Sequence, residues 1–190
     1  IRGDWMSQAH EIAGKTIGII GLGRIGSRVA RRLQGWECEL IYSDPEPATP
    51  EVEAELHLTR VERDELLRRS DIVTLHVPLN RSTTKMISDA EFDMMKPTAV
   101  LINACRGPVV DEAALVRAIE QKKIMSAGLD VTEVEPTPKD NPLFAFDNVL
   151  ITPHLAAFAQ ESTERSRVFA TANTTRVANG QDPESIVLPD

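Results

Sequence analysis

The stretch Thr16-Ile17-Gly18-Ile19-Ile20-Gly21-Leu22-Gly23-Arg24-Ile25-Gly26 decides the fold. An apolar run, Ile17 to Ile20, goes directly into Gly21-x-Gly23-x-x-Gly26, and an amphipathic stretch, Ser27 to Leu33, follows without a break. That order predicts a buried strand, a tight turn and the start of a helix. In such a turn Gly21 permits the bend, Gly23 lets a pyrophosphate approach the backbone, and Gly26 packs the helix on the strand. The phosphates would sit on backbone N–H groups at the positive end of the helix. Taken alone, the pattern also fits a plain strand–helix corner. A second feature sharpens it. The run Glu39–Ser43 predicts another strand and ends in Asp44, 18 residues beyond Gly26. An acid about 20 residues on, at the end of the second strand, hydrogen-bonds the ribose hydroxyls of a dinucleotide. It would also repel a 2′-phosphate. The two features together predict an NAD site and disfavour NADP.

Outward from this motif, strands and helices alternate. The first helix should span Arg24 to Gln34, with Gly35 as its stop signal. Asp44-Pro45-Glu46-Pro47 opens a proline-rich loop that reaches Pro50. Thr59-x-x-Glu62 reads as a capping box that starts a helix through Arg69, and Ser88-x-x-Glu91 as a second box opening a short helix to Met95. Asp111 should cap a helix to Lys122, and a last amphipathic helix should run from Gln160 to Ala178, stopped by Asn179-Gly180. Between them lie apolar runs at Ile72–His76, Ala99–Asn103, Ser126–Val131 and Val149–Thr152. Continuous apolar runs, rather than alternating ones, belong to strands buried on both faces. The expected fold class is therefore α/β, a doubly wound (Rossmann-like) parallel sheet with helices on both faces. Gly21, Asp44, His76, Asn103, Asp130 and His154 fall at or just past the carboxyl ends of their strands. Parallel strands bring those ends to one edge, where ligands of such folds bind.

Composition narrows the function classes. At 42% hydrophobic and 26% charged, the 190 residues suit an ordinary globular chain of one large domain, or one with an appendage. A net charge of −8 argues against general binding to nucleic acid or anionic membranes. It leaves a local phosphate site open. Cys38 and Cys105 lack the spacing of a zinc site or a disulfide framework, so no metal is expected and a reducing compartment fits. No apolar run approaches the roughly 18 residues of a membrane span. The start, Ile1-Arg2-Gly3-Asp4-Trp5, is no signal peptide and carries no initiator Met. The expectation is a cytoplasmic protein, seen as a fragment or a processed chain.

Three polar residues near the carboxyl edge suit catalysis. Arg106 precedes Gly107 in a loop that must turn sharply, and an arginine fork can hold a carboxylate bidentately. His154 follows Pro153 at a strand end and is placed like a general acid/base. Glu135, in the loop Thr132-Glu133-Val134-Glu135-Pro136, could orient that ring and favour its charged form. Each has a plainer reading as well: a surface ion pair, a packing histidine, a solvated carboxylate. His10 and His57 read as structural or exposed, His76 as a neighbour of the cofactor, and Cys105 as packing.

From about residue 5 to residue 180 the chain resembles the nucleotide-binding domain of the D-isomer-specific 2-hydroxyacid dehydrogenases, a family that includes phosphoglycerate, glycerate, D-lactate and formate dehydrogenases. The resemblance is carried by Gly14-Lys-Thr-Ile-Gly-Ile-Ile-Gly-Leu-Gly-Arg-Ile-Gly26, His76-Val-Pro-Leu79 with Thr83, and Asn103-Ala-Cys-Arg-Gly107 with Val110-Asp-Glu112. Gly128-Leu-Asp-Val131 with Glu135-Pro136 and then Pro153-His-Leu155 complete it. It implies Arg106, Glu135 and His154 as catalytic residues. It implies cofactor contacts at Arg24, Ile25, Asp44, Val77, Pro78, Ala104, Cys105, Arg106, Asp130 and His154, beside the glycines. It also implies hydride transfer between NAD and a D-2-hydroxy acid or its 2-keto acid, and a homodimer. In the family a substrate-binding domain precedes this one. Residues 1–14 are thus expected to be a connector from that domain, with Trp5 at the end of a crossing helix. Residues 15–180 are expected to form the NAD-binding domain and 181–190 a polar tail. One branch of the family consists of dinucleotide-sensing transcriptional corepressors, which bind other proteins and keep the same three residues, so that reading stands as the alternative. A methyltransferase also uses a glycine loop and an acid after the second strand, but gives the Asn103–Gly107 and Pro153-His154 segments no role.

Overall fold

In a computed structural model of the protein, which describes residues 9–186, parallel pairing joins seven strands in the order β3-β2-β1-β4-β5-β6-β7. In chain order the elements are β1 (Thr16–Ile20), α1 (Gly26–Arg32), β2 (Glu39–Ser43), α2 (Pro50–Glu55), β3 (Leu58–Arg60), α3 (Arg63–Arg69) and β4 (Ile72–Leu75). They continue with α4 (Asp89–Met94), β5 (Val100–Asn103), α5 (Glu112–Glu120), β6 (Ser126–Leu129), β7 (Val149–Ile151) and α6 (Gln160–Ala178). The reading placed on Trp5, and most of the connector expected over residues 1–14, lie outside the described residues. These residues fall into two compact units, one ending at His154 and one beginning at Leu155.

The strands divide their side chains between two cores, as a parallel sheet with helices on both faces requires. Ile19, Leu40, Tyr42 and Leu58 pack with Ala30 of α1 and Leu56 at the end of α2. Ile20, Val73, Leu75, Leu101 and Leu129 pack with Leu66 and Leu67 of α3, Phe92 of α4 and Leu115 of α5. Ile19 and Ile20 are chain neighbours, so they point to opposite faces. Each buried Val, Leu, Ile or Phe side chain among them contributes about 1.5–3 kcal/mol relative to exposure.

The fold class matches the sequence reading, with local corrections. The Thr59-x-x-Glu62 pattern is not a capping box. Thr59 lies within β3, paired with Ile41, and α3 starts at Arg63 with Glu62 as its N-cap and no side-chain cap bond. Pairing with β2 and burial of Leu58 outweigh a local cap signal worth about 1 kcal/mol. The segment from Pro50 is accordingly not only loop: Pro50 occupies the first turn of α2, where its missing N–H costs nothing. The Ser88 box holds, with the Ser88 N–H donating to Glu91 Oε2 at 3.0 Å, and Asp111 Oδ1 accepts from the Ala114 N–H at 3.1 Å.

The second unit is built on α6, whose bounds match the sequence reading. Its amphipathic character does not. No α6 residue is buried, and Val168, Phe169 and Val177 are all exposed. At 100° per residue Val168 and Val177 lie on opposite sides, so the apolar residues form no stripe.

Register fixes the geometry of the first unit's ligand-facing edge. Ile20 pairs with Ser43 and with Leu75, Leu75 with Asn103, Asn103 with Leu129, and Leu129 with Ile151. The residues that follow, Gly21, Asp44, His76, Ala104, Asp130 and Thr152, therefore line up along one carboxyl edge.

Candidate active site at the carboxyl edge of the sheet

The glycine turn leaves β1 at Gly21, whose φ of +90° suits glycine. Its N–H donates to Ser43 O at 2.9 Å, and a Cβ there would meet the His76 carbonyl at 2.6 Å. At Gly26 a Cβ would come within 2.1 Å of Gly21 O, so only glycine lets α1 sit this close to the turn. Gly23 differs: a Cβ there would meet nothing within 4 Å, which leaves room for a ligand. The first turn of α1, entered through Arg24 and Ile25, has no side-chain cap and no acidic residue to compete with a phosphate. Asp44 lies beside this turn. Its Oδ2 accepts from the Leu22 N–H at 2.7 Å and its Oδ1 from the Glu46 N–H at 2.9 Å, which fixes the carboxylate and leaves lone pairs for further donors. A cavity of about 390 Å³ opens here, lined by Gly21, Asp44, Arg60, Val77 and Thr83 among others. These features fit a dinucleotide: an open glycine cradle and a fixed carboxylate at the next strand end.

Further along the edge, the Thr83 hydroxyl donates to Pro78 O at 2.6 Å and holds the Val77-Pro78 turn after β4. His76 Nε2 is 3.0 Å from the Thr74 hydroxyl, and burial pushes this imidazole below its ordinary pKa, favouring the neutral ring. After β5, buried Asn103 organises the next loop. Its amide donates to Arg106 O at 2.9 Å, and its Oδ1 accepts from the Cys105 N–H at 3.1 Å. Ala104 and Cys105 are thereby fixed. Burial, chiefly, raises the Cys105 thiol pKa, so it does not present a thiolate. The Arg106 guanidinium is exposed and donates back to Cys105 O at 2.6 Å. It makes no hydrogen bond to Glu135 or His154.

Those two residues do come together. His154 Nδ1 lies 2.8 Å from Glu135 Oε2. Their side chains are 49% and 37% exposed, so the pair is open to a reactant on one side. Glu135 Oε1 also accepts from the Thr132 N–H at 3.3 Å. His154 has a left-handed backbone, φ +55°, and its N–H donates to Asp130 O at 2.8 Å. A non-glycine residue held there is strained, a condition that clusters at functional sites. The Thr152 hydroxyl donates to Asp130 Oδ1, fixing that carboxylate. A cavity of about 690 Å³ is bounded by Asp130, Glu135, Phe144, Thr152 and His154, among others. With Nδ1 engaged by a carboxylate, Nε2 is the nitrogen left to exchange a proton with a bound molecule.

The sequence reading placed Asn103 at this edge but gave neither it nor Thr132 and Thr152 a supporting role. Apart from the Asx turn from Asn103 to Cys105, their partners are ones that no spacing rule names. Among the described residues no group of three or more His, Cys, Asp or Glu is arranged to hold a metal ion, and no helix is long and apolar enough to cross a membrane.

Comparison with known proteins bears on this geometry directly. The family model of the D-isomer specific 2-hydroxyacid dehydrogenase, NAD binding domain, matches residues 2–156. A glyoxylate reductase of Thermofilum pendens is 42% identical over 177 residues, 93% of this chain and 52% of the relative. A glyoxylate reductase of Korarchaeum cryptofilum is 40% identical over 182 residues, 96% of this chain and 54% of the relative. The crystal structure of D-lactate dehydrogenase with NAD+ from Lactobacillus jensenii superposes with a TM-score of 0.87 at 37% identity, covering 100% of this chain and 60% of that one. The chain thus spans about half the length of the curated relatives it matches. With the family model over most of its length and the sheet, glycine turn and strand-edge loops in the matching fold, the chain belongs to the D-isomer-specific 2-hydroxyacid dehydrogenases, as their NAD-binding domain.

Proposed function

We propose that this chain forms the cofactor half of an oxidoreductase that moves a hydride between NAD and a small D-2-hydroxy acid or its 2-keto acid. The observation that carries the reading is the Glu135–His154 pair, 2.8 Å apart beside a cavity at the sheet's carboxyl edge. Gly21, Gly23, Arg24, Ile25 and Gly26 would hold the pyrophosphate, and Asp44 the adenosine ribose. Val77, Pro78, Ala104, Cys105, Arg106, Asp130 and His154 would line the rest of the cofactor's path. The nicotinamide, when bound, supplies or accepts the hydride. Arg106 swings from its own backbone to hold the substrate carboxylate and polarise the keto oxygen. His154 gives a proton from Nε2 in reduction and takes one in oxidation, with Glu135 orienting the ring. The relatives, two glyoxylate reductases and a D-lactate dehydrogenase, support this class of substrate and lend nothing to a corepressor. A homodimer in the cytoplasm belongs to the same proposal, as does the domain plan: a connector to residue 14, the NAD-binding domain over 15–180, and a polar tail from 181.

The test uses the 190-residue chain itself. NADH should bind in preference to NADPH, because Asp44 repels a 2′-phosphate, and Asp44→Ala should shrink that preference. Glyoxylate, pyruvate and hydroxypyruvate should not oxidise the bound NADH at a measurable rate. An exposed arginine grips a carboxylate by only about 0–1 kcal/mol, and loss of orientation removes several powers of ten. Equal affinity for the two cofactors would sink the NAD assignment. Robust turnover would put the whole substrate site within this chain.

A further inference from the structure

Two glutamates outside the candidate catalytic group interlock beneath it. Glu112 opens α5, and Glu133 lies two residues before Glu135 in the β6–β7 connection. The Glu112 N–H donates to Glu133 Oε1 at 3.2 Å, and the Glu133 N–H donates to Glu112 Oε2 at 3.0 Å. Each carboxylate thus holds the other residue's backbone. Such a reciprocal pair closes a ring between the two segments, whereas one bond alone would let them pivot. The outer oxygen of Glu112 is engaged too: buried Asn141 donates to Oε1 at 2.8 Å. Two neighbouring carboxylates would repel without compensation. Lys85 Nζ supplies it, 3.4 Å from Glu133 and 3.3 Å from Asp111, and the positive end of α5 adds to it.

The segment this clamp holds is itself stiff. The Thr132 hydroxyl donates to Val134 O at 2.9 Å and lies 2.8 Å from the Thr137 hydroxyl, while the Thr132 N–H reaches Glu135 Oε1. A displacement at Glu133 is therefore passed on to Glu135 rather than absorbed between them. We propose that Glu112 and Glu133 are positioning residues, whose interlocked carboxylates fix the 132–137 loop to α5 so that Glu135 stays within hydrogen-bond reach of His154. The proposal rests on the acid–base reading of Glu135 and His154 given above. It adds two residues to the machinery that touch neither cofactor nor substrate.

The state of the His154 ring reports on the clamp. A carboxylate on Nδ1 selects the tautomer with the proton on Nδ1. In histidine-labelled chain at alkaline pH, two-bond proton–nitrogen spectra should find His154 mainly in that form. Glu135→Ala should move it toward the Nε2–H form. Glu112→Ala, which accepts neither bond, should move it more than half as far, and Glu133→Ala, which cannot accept from the Glu112 N–H, likewise. Glu112→Ala added to Glu135→Ala should change nothing further. Glu120→Ala, at the other end of α5, should leave the native signature. If Glu112→Ala does not fold, Glu133→Ala, in a surface loop, decides alone. A tautomer moved by Glu135→Ala but unmoved by the clamp variants overturns the clamp. A tautomer unmoved by Glu135→Ala overturns the acid–base reading and the clamp with it.

Discussion

The two edges of the sheet end the same strands in opposite ways. At the amino edge, Asp71 joins the starts of three strands. Its Oδ2 accepts from the Thr16 N–H at 2.9 Å and its Oδ1 from Lys96 Nζ at 2.9 Å. Its own N–H donates to Thr16 O at 2.8 Å, and its carbonyl accepts from the Val100 N–H at 3.0 Å. At the carboxyl edge the polar side chains hold loops rather than strands, and they leave cavities of about 390 and 690 Å³ between them. Left-handed backbone occurs near both edges, at His57 and Lys122 as well as at His154. The first two follow α2 and α5, where a left-handed residue is a common way to end a helix. At His154 the strained backbone carries a ring bound to a carboxylate. Strain alone does not mark function; the partner of the side chain does. The amino edge ties strand starts together, the carboxyl edge carries the proposed site, and variants at each should separate stability from activity.

The widest separation should come from His154→Ala. In a turnover-competent preparation of the whole protein, kcat should fall roughly 10²–10⁴-fold, the usual span for losing a general acid/base. The side chain is half exposed, so unfolding free energy should change by less than about 0.5 kcal/mol. NADH affinity should hold. Urea unfolding and initial rates on the same sample read both quantities. A large stability loss with little loss of rate would reverse the comparison.

Gly107→Ala should breach the boundary between stability and function. A Cβ at Gly107 would lie 1.8 Å from Thr132 O, so the Arg106 loop and the Glu135 loop must part. Overpacking of this kind against backbone costs about 1–3 kcal/mol. Both quantities should fall together, because one loop carries Arg106 and the other Glu135. An alanine variant with native stability would mean that the two loops are not rigidly seated on each other.

How much of this was legible beforehand follows from the range of each interaction. The glycine turn, the strand at Glu39–Ser43 and the acid at its end are local patterns, and they stand where the sequence put them. The short strand β3 was hidden because its pairing with β2 is a tertiary fact and its sequence carries a misleading cap pattern. Glu135 and His154 were each suspect from type and position, but their contact spans 19 residues of chain, so the residues alone offered the pairing as one option beside plainer ones and the family resemblance favoured it. The Glu112–Glu133 clamp spans 21 residues and the Thr152–Asp130 bond 22. Nothing in a sequence period encodes such pairs.

The smallest effect is expected at the amino edge, and it should depend on pH. Burial pushes the Asp71 carboxyl upward, but the Thr16 N–H and the Lys96 ammonium more than offset this, so its folded-state pKa lies below the ordinary carboxylate value. A depressed pKa stabilises the fold above the unfolded value, about 3.9 for Asp, and that contribution is lost as pH falls through the folded value. Asp71→Asn keeps an acceptor for Thr16 but loses the charge. It should cost about 1–2 kcal/mol at pH 7, at or below the low end of the about 1.5–3 kcal/mol for a hydrogen bond to a charged group, because the pair with Lys96 is partly exposed. The difference from the parent should shrink as the pH is lowered below about 4. NADH affinity should not move. The five residues of β1, at about 3.3 Å each, put Asp71 about 16 Å from the glycine turn. That is about twice the screening length in physiological salt. Urea curves at several pH values, with NADH titrations alongside, test both halves. If Asp71→Asn weakened NADH binding, the two edges would be coupled through the strands, and the division of labour between them would fail.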